Sequence, residues 1–259
     1  MRKYIITLCE WLMDMKQNIY DNLDFFEQYQ EIRAREFNYN KQIEQPHFLQ
    51  LVPNLQGQVA LDIGCGAGDF AAACIQKGAK EVLGIDISAN MIATAKERHQ
   101  QECLKFLNIA FEDVILQQGS FHFISSSLAL HYMADLNAVI QKISKALSRN
   151  GILLFSIQHP IYTANMGRDN WITDEKGSIQ HFAMDRYQEE GMRREDWLVD
   201  GVIMYHRTIG TIVNTLLSND LSIEKMVEPI PSEEILQQVP NFEKTLRSPP
   251  FLIIKAKKL

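Results

Sequence analysis

The chain has 259 residues, 46% of them hydrophobic, and carries 26 Lys and Arg against 32 Asp and Glu, a formal net charge of -6 at pH 7. That length suffices for one large domain with a sizeable core, and the acidic balance argues against a phosphate-backbone partner, which selects basic surfaces. No apolar run reaches the roughly 18 residues of a membrane span, so neither nucleic acid nor membrane is expected as a partner.

Residues 1–15 hold an apolar stretch broken by Glu10 and no small-residue cleavage site, a poor signal peptide; residues 1–19 read as an N-terminal extension without an assigned role. From 24 to 51 the pattern is helical, with Phe25, Phe26, Tyr29, Phe37 and Tyr39 as its aromatic residues. Strands and helices then alternate: strand 59–63, helix 69–76, strand 81–86, and helix 88–101 opened by Ser88 as N-cap. A strand at 105–109, another at 121–125, a helix at 136–147 and a strand at 151–156 complete the series. Such βαβ units imply an α/β fold, a parallel sheet with helices on both faces. Residues 158–201 are polar, rich in Arg, Asp, Glu and Trp, and lack periodicity, which predicts a functional lid. An apolar run at 202–205, a helix at 208–217 and strands at 221–227 and 251–256 return the chain to the sheet. The four cysteines, Cys9, Cys65, Cys74 and Cys103, show no C-x-x-C spacing. They are expected as reduced thiols of a cytoplasmic protein, not as a disulfide frame or a zinc site.

The run Val59-Ala60-Leu61-Asp62-Ile63-Gly64-Cys65-Gly66-Ala67-Gly68-Asp69 reads as a buried strand, a glycine turn and a helix start. The next strand ends on Asp86, about 20 residues further on, where a carboxylate can accept from both ribose hydroxyls of an adenosine cofactor. A dinucleotide turn needs G-x-G-x-x-G. Here Asp69 holds the sixth position, where a pyrophosphate would approach the helix N-terminus. A phosphate-free ligand fits better, and S-adenosylmethionine is one: Asp62 can face its ammonium, directly or through water, and turn amides its carboxylate.

Leu61-Asp62-Ile63-Gly64-Cys65-Gly66-Ala67-Gly68, then Gly84-Ile85-Asp86-Ile87-Ser88 and Met91, resemble the class I S-adenosylmethionine-dependent methyltransferases. Ser126-Ser127-Leu128-Ala129-Leu130-His131-Tyr132 is similar to the motif after strand 4 in the small-molecule, ubiquinone/menaquinone-like branch. The stretches 155–162 and 205–208 also resemble a bacterial subgroup of that branch. The resemblance covers about residues 20–257. It implies a Rossmann-like seven-stranded sheet, mostly parallel with the last strand antiparallel, within a methyltransferase domain at 20–259. A helical cap at 20–52 and a substrate lid at 158–201, inserted after strand 5, would flank the site.

The resemblance places Asp86 on the ribose, Ile87 and Met91 beside the adenosine, Asp62, Gly64, Cys65, Gly66 and Gly68 in the cradle, and Ser127 near the tail or sulfonium. Tyr20, Tyr29 and Arg33 would close over the cofactor. Relatives often carry an aspartate after strand 3 for the adenine amino group. Ala110-Phe111-Glu112-Asp113 departs from that pattern, so that Glu112 or Asp113 substitutes or the backbone alone makes the contact.

Methyl transfer from a sulfonium is an in-line displacement governed mainly by positioning, and a base is needed only where the nucleophile carries a proton. His131, after strand 4, and His159, after strand 5, are the catalytic candidates. Tyr132, Tyr162, Tyr187, Trp197 and His206 are candidate substrate contacts. Trp171, Arg186, Arg193 and Arg194 make the lid suited to an acidic or aromatic metabolite. The absence of an Asn/Asp-Pro-Pro-Tyr motif disfavours nucleobase amines, and Ser125-Ser126-Ser127 offers no carboxylate for a metal. The expectation is a metal-independent enzyme, monomer or homodimer, acting on a small molecule. A non-catalytic S-adenosylmethionine-binding protein and a nicotinamide-dependent oxidoreductase are the competing readings, with RNA methylation behind them.

Overall fold

The computed structural model describes residues 16–165 and 170–259; most of the N-terminal extension, with Cys9, lies outside them. Two cap helices, α1 (Leu23–Ala34) and α2 (Gln45–Leu51), lead into β1 (Val59–Ile63), α3 (Asp69–Gln76), β2 (Glu81–Asp86), α4 (Ala89–Arg98), β3 (Leu104–Asn108) and β4 (Phe121–Ser127). There follow α5 (Leu136–Ala146), β5 (Leu147–Gln158), the single turn α6 (Pro160–Thr163), β6 (Trp171–Thr173), β7 (Ile179–Phe182), β8 (Gly191–Trp197) and β9 (Val199–His206). The chain then enters α7 (Ile209–Leu217), β10 (Leu221–Val227) and β11 (Phe251–Lys258).

Seven strands form one sheet in the order β10-β11-β5-β4-β1-β2-β3. Only β11 runs against its neighbours, β5 and β10, and the other pairs are parallel. Successive strand residues point to opposite faces. Leu61, Ile63, Leu153 and Phe155 pack with Val139, Ile140 and Ile143 of α5 and Ile212 and Leu216 of α7. Ala60 and Leu154 meet Phe48 of α2, Ala71 and Cys74 of α3, and Ile92 and Ala95 of α4 on the other side. Burial on both faces explains why these strands read as continuous apolar runs, each large side chain contributing about 1.5–3 kcal/mol.

Two sequence expectations need correction. The helical pattern over 24–51 is broken, because Asn38 donates to Arg35 O at 3.1 Å and accepts from Lys41 N at 2.9 Å. One side chain thus competes for backbone groups on both sides, and the helix restarts as a π-helical turn, Asn40–Glu44. The lid is not irregular either: β6 pairs with β7 and β8 with β9 as two antiparallel hairpins. The run at 202–205 belongs to β9. Its Val202, Met204 and His206 are buried while Ile203 and Tyr205 are not, a period of two that polar β8 conceals from the sequence.

Candidate active site

The carboxyl ends of parallel strands are where an open α/β sheet receives ligands. Here they open into a cavity of about 890 Å³, roofed by the cap on one side and the β8–β9 hairpin on the other. The glycine turn is fastened to β2, since Gly64 N and Cys65 N both donate to Ile85 O, at 2.8 and 3.0 Å. Asp86 joins turn to helix: its Oδ2 accepts from Gly66 N and its Oδ1 from Ser88 N, each at 2.9 Å. Burial pushes the Asp86 carboxyl up, while the Ser88 and Gly66 amides pull it back. Gly66 has φ +52°, and a Cβ built there meets nothing within 4 Å, so the space beside it belongs to the cavity. A cradle that a methyl group would fill, next to an acceptor carboxylate, fits an adenosine ribose and its tail.

The cap is held down by Asp21, which accepts from Ser88 Oγ at 2.6 Å and from the amides of Ala89 and Asn90 at 3.1 Å. Partial burial of Asp21 is outweighed by those bonds, so its carboxyl lies below the ordinary range. Tyr20 is thereby carried into the cavity, where its hydroxyl shares a hydrogen bond with that of Tyr132.

Of the residues named from sequence, Tyr20, Tyr29, Arg33, Asp62, Gly64, Cys65, Gly66, Asp86, Ile87, Met91, Glu112 and Ser127 line the cavity. So do His131, Tyr132, Tyr162 and Trp197. Asp62 is buried and accepts from Ser125 Oγ at 2.9 Å; burial raises its pKa to about 7 against the pull of that hydroxyl. The His131 imidazole is pushed down to about 3 by burial, with Arg207 adding to it. It is therefore neutral, and unsuited to hold a proton taken from an acceptor.

Five named residues fall elsewhere. Gly68 packs instead of cradling: a Cβ there would lie 2.5 Å from Phe106 Cζ. Asp113 does not line the cavity and pairs with Lys16, which does, leaving Glu112 as the acid of that stretch in the lining. His159 is fully buried, accepting from Ile161 N at 3.1 Å and meeting Glu228 Oε1 at 2.9 Å. His206 is held by Thr163 Oγ1 at 2.8 Å and Tyr187 O at 2.9 Å. The Tyr187 hydroxyl accepts from Ile209 N at 3.0 Å. All three are cross-braces of the lid's base.

Arg186, Arg193 and Arg194 do not supply an anion pocket to the cavity. Arg193 is buried and donates to the backbone of Glu189, Ala164 and Met192, Arg186 pairs with Glu189 at 3.5 Å, and neither they, Arg194 nor Trp171 lines the cavity. Two carboxylates were missed. Glu44 is 1% exposed and accepts from Ser156 Oγ and Ser127 Oγ. Glu195, on β8, lines the cavity, and burial raises its pKa. The sequence marks neither, since each acquires its meaning from strands far away in the chain.

A methyltransferase-domain family profile matches residues 61–155, the segment that carries the cradle. A solved S-adenosylmethionine dependent methyltransferase from Mesorhizobium loti is 35% identical, with a TM-score of 0.78 over 83% of this chain and 97% of its own. A Listeria monocytogenes protein gives 36% and 0.79 over 83% and 96%. An uncharacterized protein of Haemophilus influenzae is 35% identical over 254 residues, 95% of this chain and 99% of its own. The malonyl-[acyl-carrier protein] O-methyltransferase of Erwinia billingiae is 33% identical over 101 residues, 39% of either chain. The chain belongs to the class I S-adenosylmethionine-dependent methyltransferases. It is an enzyme whose cofactor is S-adenosylmethionine, which sets aside the nicotinamide and non-catalytic readings. Among the described residues no helix is long and apolar enough to cross a membrane.

Proposed function

We propose that the chain transfers a methyl group to a small-molecule acceptor by in-line displacement, without a metal ion. The observation that carries this reading is the cavity of about 890 Å³. Its lining carries both the Asp86–Gly66 cradle and the side chains of Tyr132, Trp197 and Glu195. That volume lies within the range of about 300–1,000 Å³ typical of small-molecule sites. S-adenosylmethionine supplies the activated methyl group. Asp86 would accept from its ribose, the Gly66 backbone gives the room, and Asp62 would face its ammonium. The cap and the hairpin exclude water and hold the acceptor in line, which is catalysis by positioning. The serines ending β4 leave a metal ion no carboxylate there.

The test is incubation of the full chain with methyl-labelled S-adenosylmethionine and a cell metabolite extract. A labelled low-molecular-weight product, formed equally in EDTA, is the expected result. Label found only in protein or nucleic acid overturns the small-molecule reading, and activity lost to EDTA and restored by magnesium overturns the metal-independent one.

A further inference from the structure

Glu195 is the cavity carboxylate that the cofactor does not explain. Asp86 is engaged by two amides, Asp62 by Ser125 and Glu44 by two serines, whereas the Glu195 carboxylate has neither a hydrogen bond nor an ion pair among the described residues. Its place follows from the hairpin. Along β8, Arg193, Glu195 and Trp197 are less exposed than Met192, Arg194 and Asp196, and Glu195 and Trp197 line the cavity together with Ile203 and Tyr205 of β9, but the Arg193 guanidinium is spent on backbone carbonyls. Among the described residues no cation balances the carboxylate. Beside it the cavity wall is aromatic. Of the lining rings, Trp197 lies 6.3 Å from Tyr29 and Tyr29 lies 5.0 Å from Tyr20, while the fully buried Phe25 packs 5.3 Å from Trp197. An unpaired carboxylate at a partly dry site is costly and points to a ligand that completes it, and π faces favour a cation over an anion.

We propose that Glu195 receives the acceptor's protonated amine against this aromatic wall, so that the methyl acceptor is an aliphatic amine. This rests on the small-molecule reading above. The ammonium N–H donates to the Glu195 carboxylate and surrenders its proton to it. The freed lone pair then forms the N–C bond as the methyl carbon's bond to sulfur breaks, its electron pair leaving on sulfur. The product is a methylated ammonium and S-adenosylhomocysteine, with the displaced proton on Glu195 to be lost to solvent. Burial, which raises the Glu195 carboxyl, brings the two proton affinities closer together.

The test uses the full chain and Glu195→Gln. In the labelled extract, cation exchange at acid pH should retain the product. In calorimetry, 2-phenylethylamine should bind at least about tenfold tighter than 3-phenylpropionate, a probe of similar size and opposite charge. E195Q should erase that preference and raise the KM of the labelled acceptor about tenfold or more, while S-adenosylhomocysteine binding stays within about twofold. Equal binding of the two probes, including none of either, overturns the proposal. So does an E195Q variant that loses the cofactor product, which would put the carboxylate at the cofactor. A labelled product that is anionic or neutral overturns the amine and leaves the small-molecule reading standing. Label in macromolecules alone removes both.

Discussion

Ser156, near the end of β5, donates its hydroxyl to Glu44 of the cap at 2.6 Å, and Ser127 at the end of β4 donates to the same oxygen at 2.9 Å. The two innermost strands thus hold the cap through one buried carboxylate. Burial pushes that carboxyl up, the two serines and Arg33 oppose the rise, and the latch lies at the edge of the cavity.

Removing the latch should loosen the cap before the sheet. Glu44→Ala leaves the buried Ser156 hydroxyl and the half-buried Ser127 hydroxyl short of an acceptor, at a cost of about 1–3 kcal/mol. Thermal melting should register that loss, and S-adenosylhomocysteine affinity should fall about tenfold, because Tyr20, Tyr29 and Arg33 ride on the same cap. Glu44→Gln keeps one acceptor oxygen and should lose less of both. A variant with wild-type cofactor affinity would show that the cap does not take part in closure.

The glycine turn separates packing from binding. Gly66→Ala meets no protein atom within 4 Å, so its stability cost is the left-handed backbone alone, about 1–2 kcal/mol. Its methyl group occupies cavity space, and calorimetry should show S-adenosylhomocysteine bound at least about tenfold more weakly. Gly68→Ala, at φ +83°, drives a methyl group into the buried Phe106 ring, adding about 1–3 kcal/mol of overpacking to that strain. It should melt earlier, yet bind the cofactor product within about threefold while folded. The reverse pattern would reassign the two glycines.

His131 should stay neutral throughout the working range of the enzyme. Burial and Arg207 hold its pKa near 3, and its Nδ1 has no partner among the described residues. NMR titration of the ring from pH 8 to 4 should therefore show no midpoint, and the pH profile of kcat should carry no step removed by His131→Gln. A midpoint near the ordinary 6.5 would restore it as a base.

The sheet was legible because parallel strands and glycine turns obey local rules. Val59 to Leu61 is apolar on both faces and Asp86 closes the next strand, so the pattern points to the strand ends at which the cavity opens. A glycine serves either ligand approach or packing, and at Gly68 only Phe106, distant in sequence, decides for packing. His159 and His206 stand where strand ends meet ligands, but Glu228 and Thr163 had already claimed them, partners that no local pattern reveals. The β8 strand, Gly-Met-Arg-Arg-Glu-Asp-Trp, hides its period because one of its inward residues is a buried arginine satisfied by carbonyls. Glu44 and Glu195 were invisible for the same reason: a carboxylate in a helix or a polar strand reads as solvated surface until the fold encloses it.

Asp62 should make both stability and cofactor binding depend on pH. Burial raises its pKa from 3.8 to about 7, Ser125 opposing and Asp86 adding to the rise. Between those values the folded chain holds a proton that the unfolded chain has released. Stability of the cofactor-free protein therefore falls as pH rises from about 4 to 7 and levels above it, by about 4 kcal/mol at most from this group. Asp86 and Glu44 are also raised by burial and lean the curve the same way, so the contribution of Asp62 is the difference between wild type and Asp62→Asn. Binding works in the opposite sense. An ammonium set against Asp62 favours its charged form, so S-adenosylhomocysteine should expel a proton near pH 7, and its affinity should climb between pH 6 and 8. Calorimetry in buffers of low and high ionisation enthalpy measures that release directly. In D62N both the release and the climb should vanish. Equal proton release from the variant would assign the titration to another group and remove Asp62 from the ammonium.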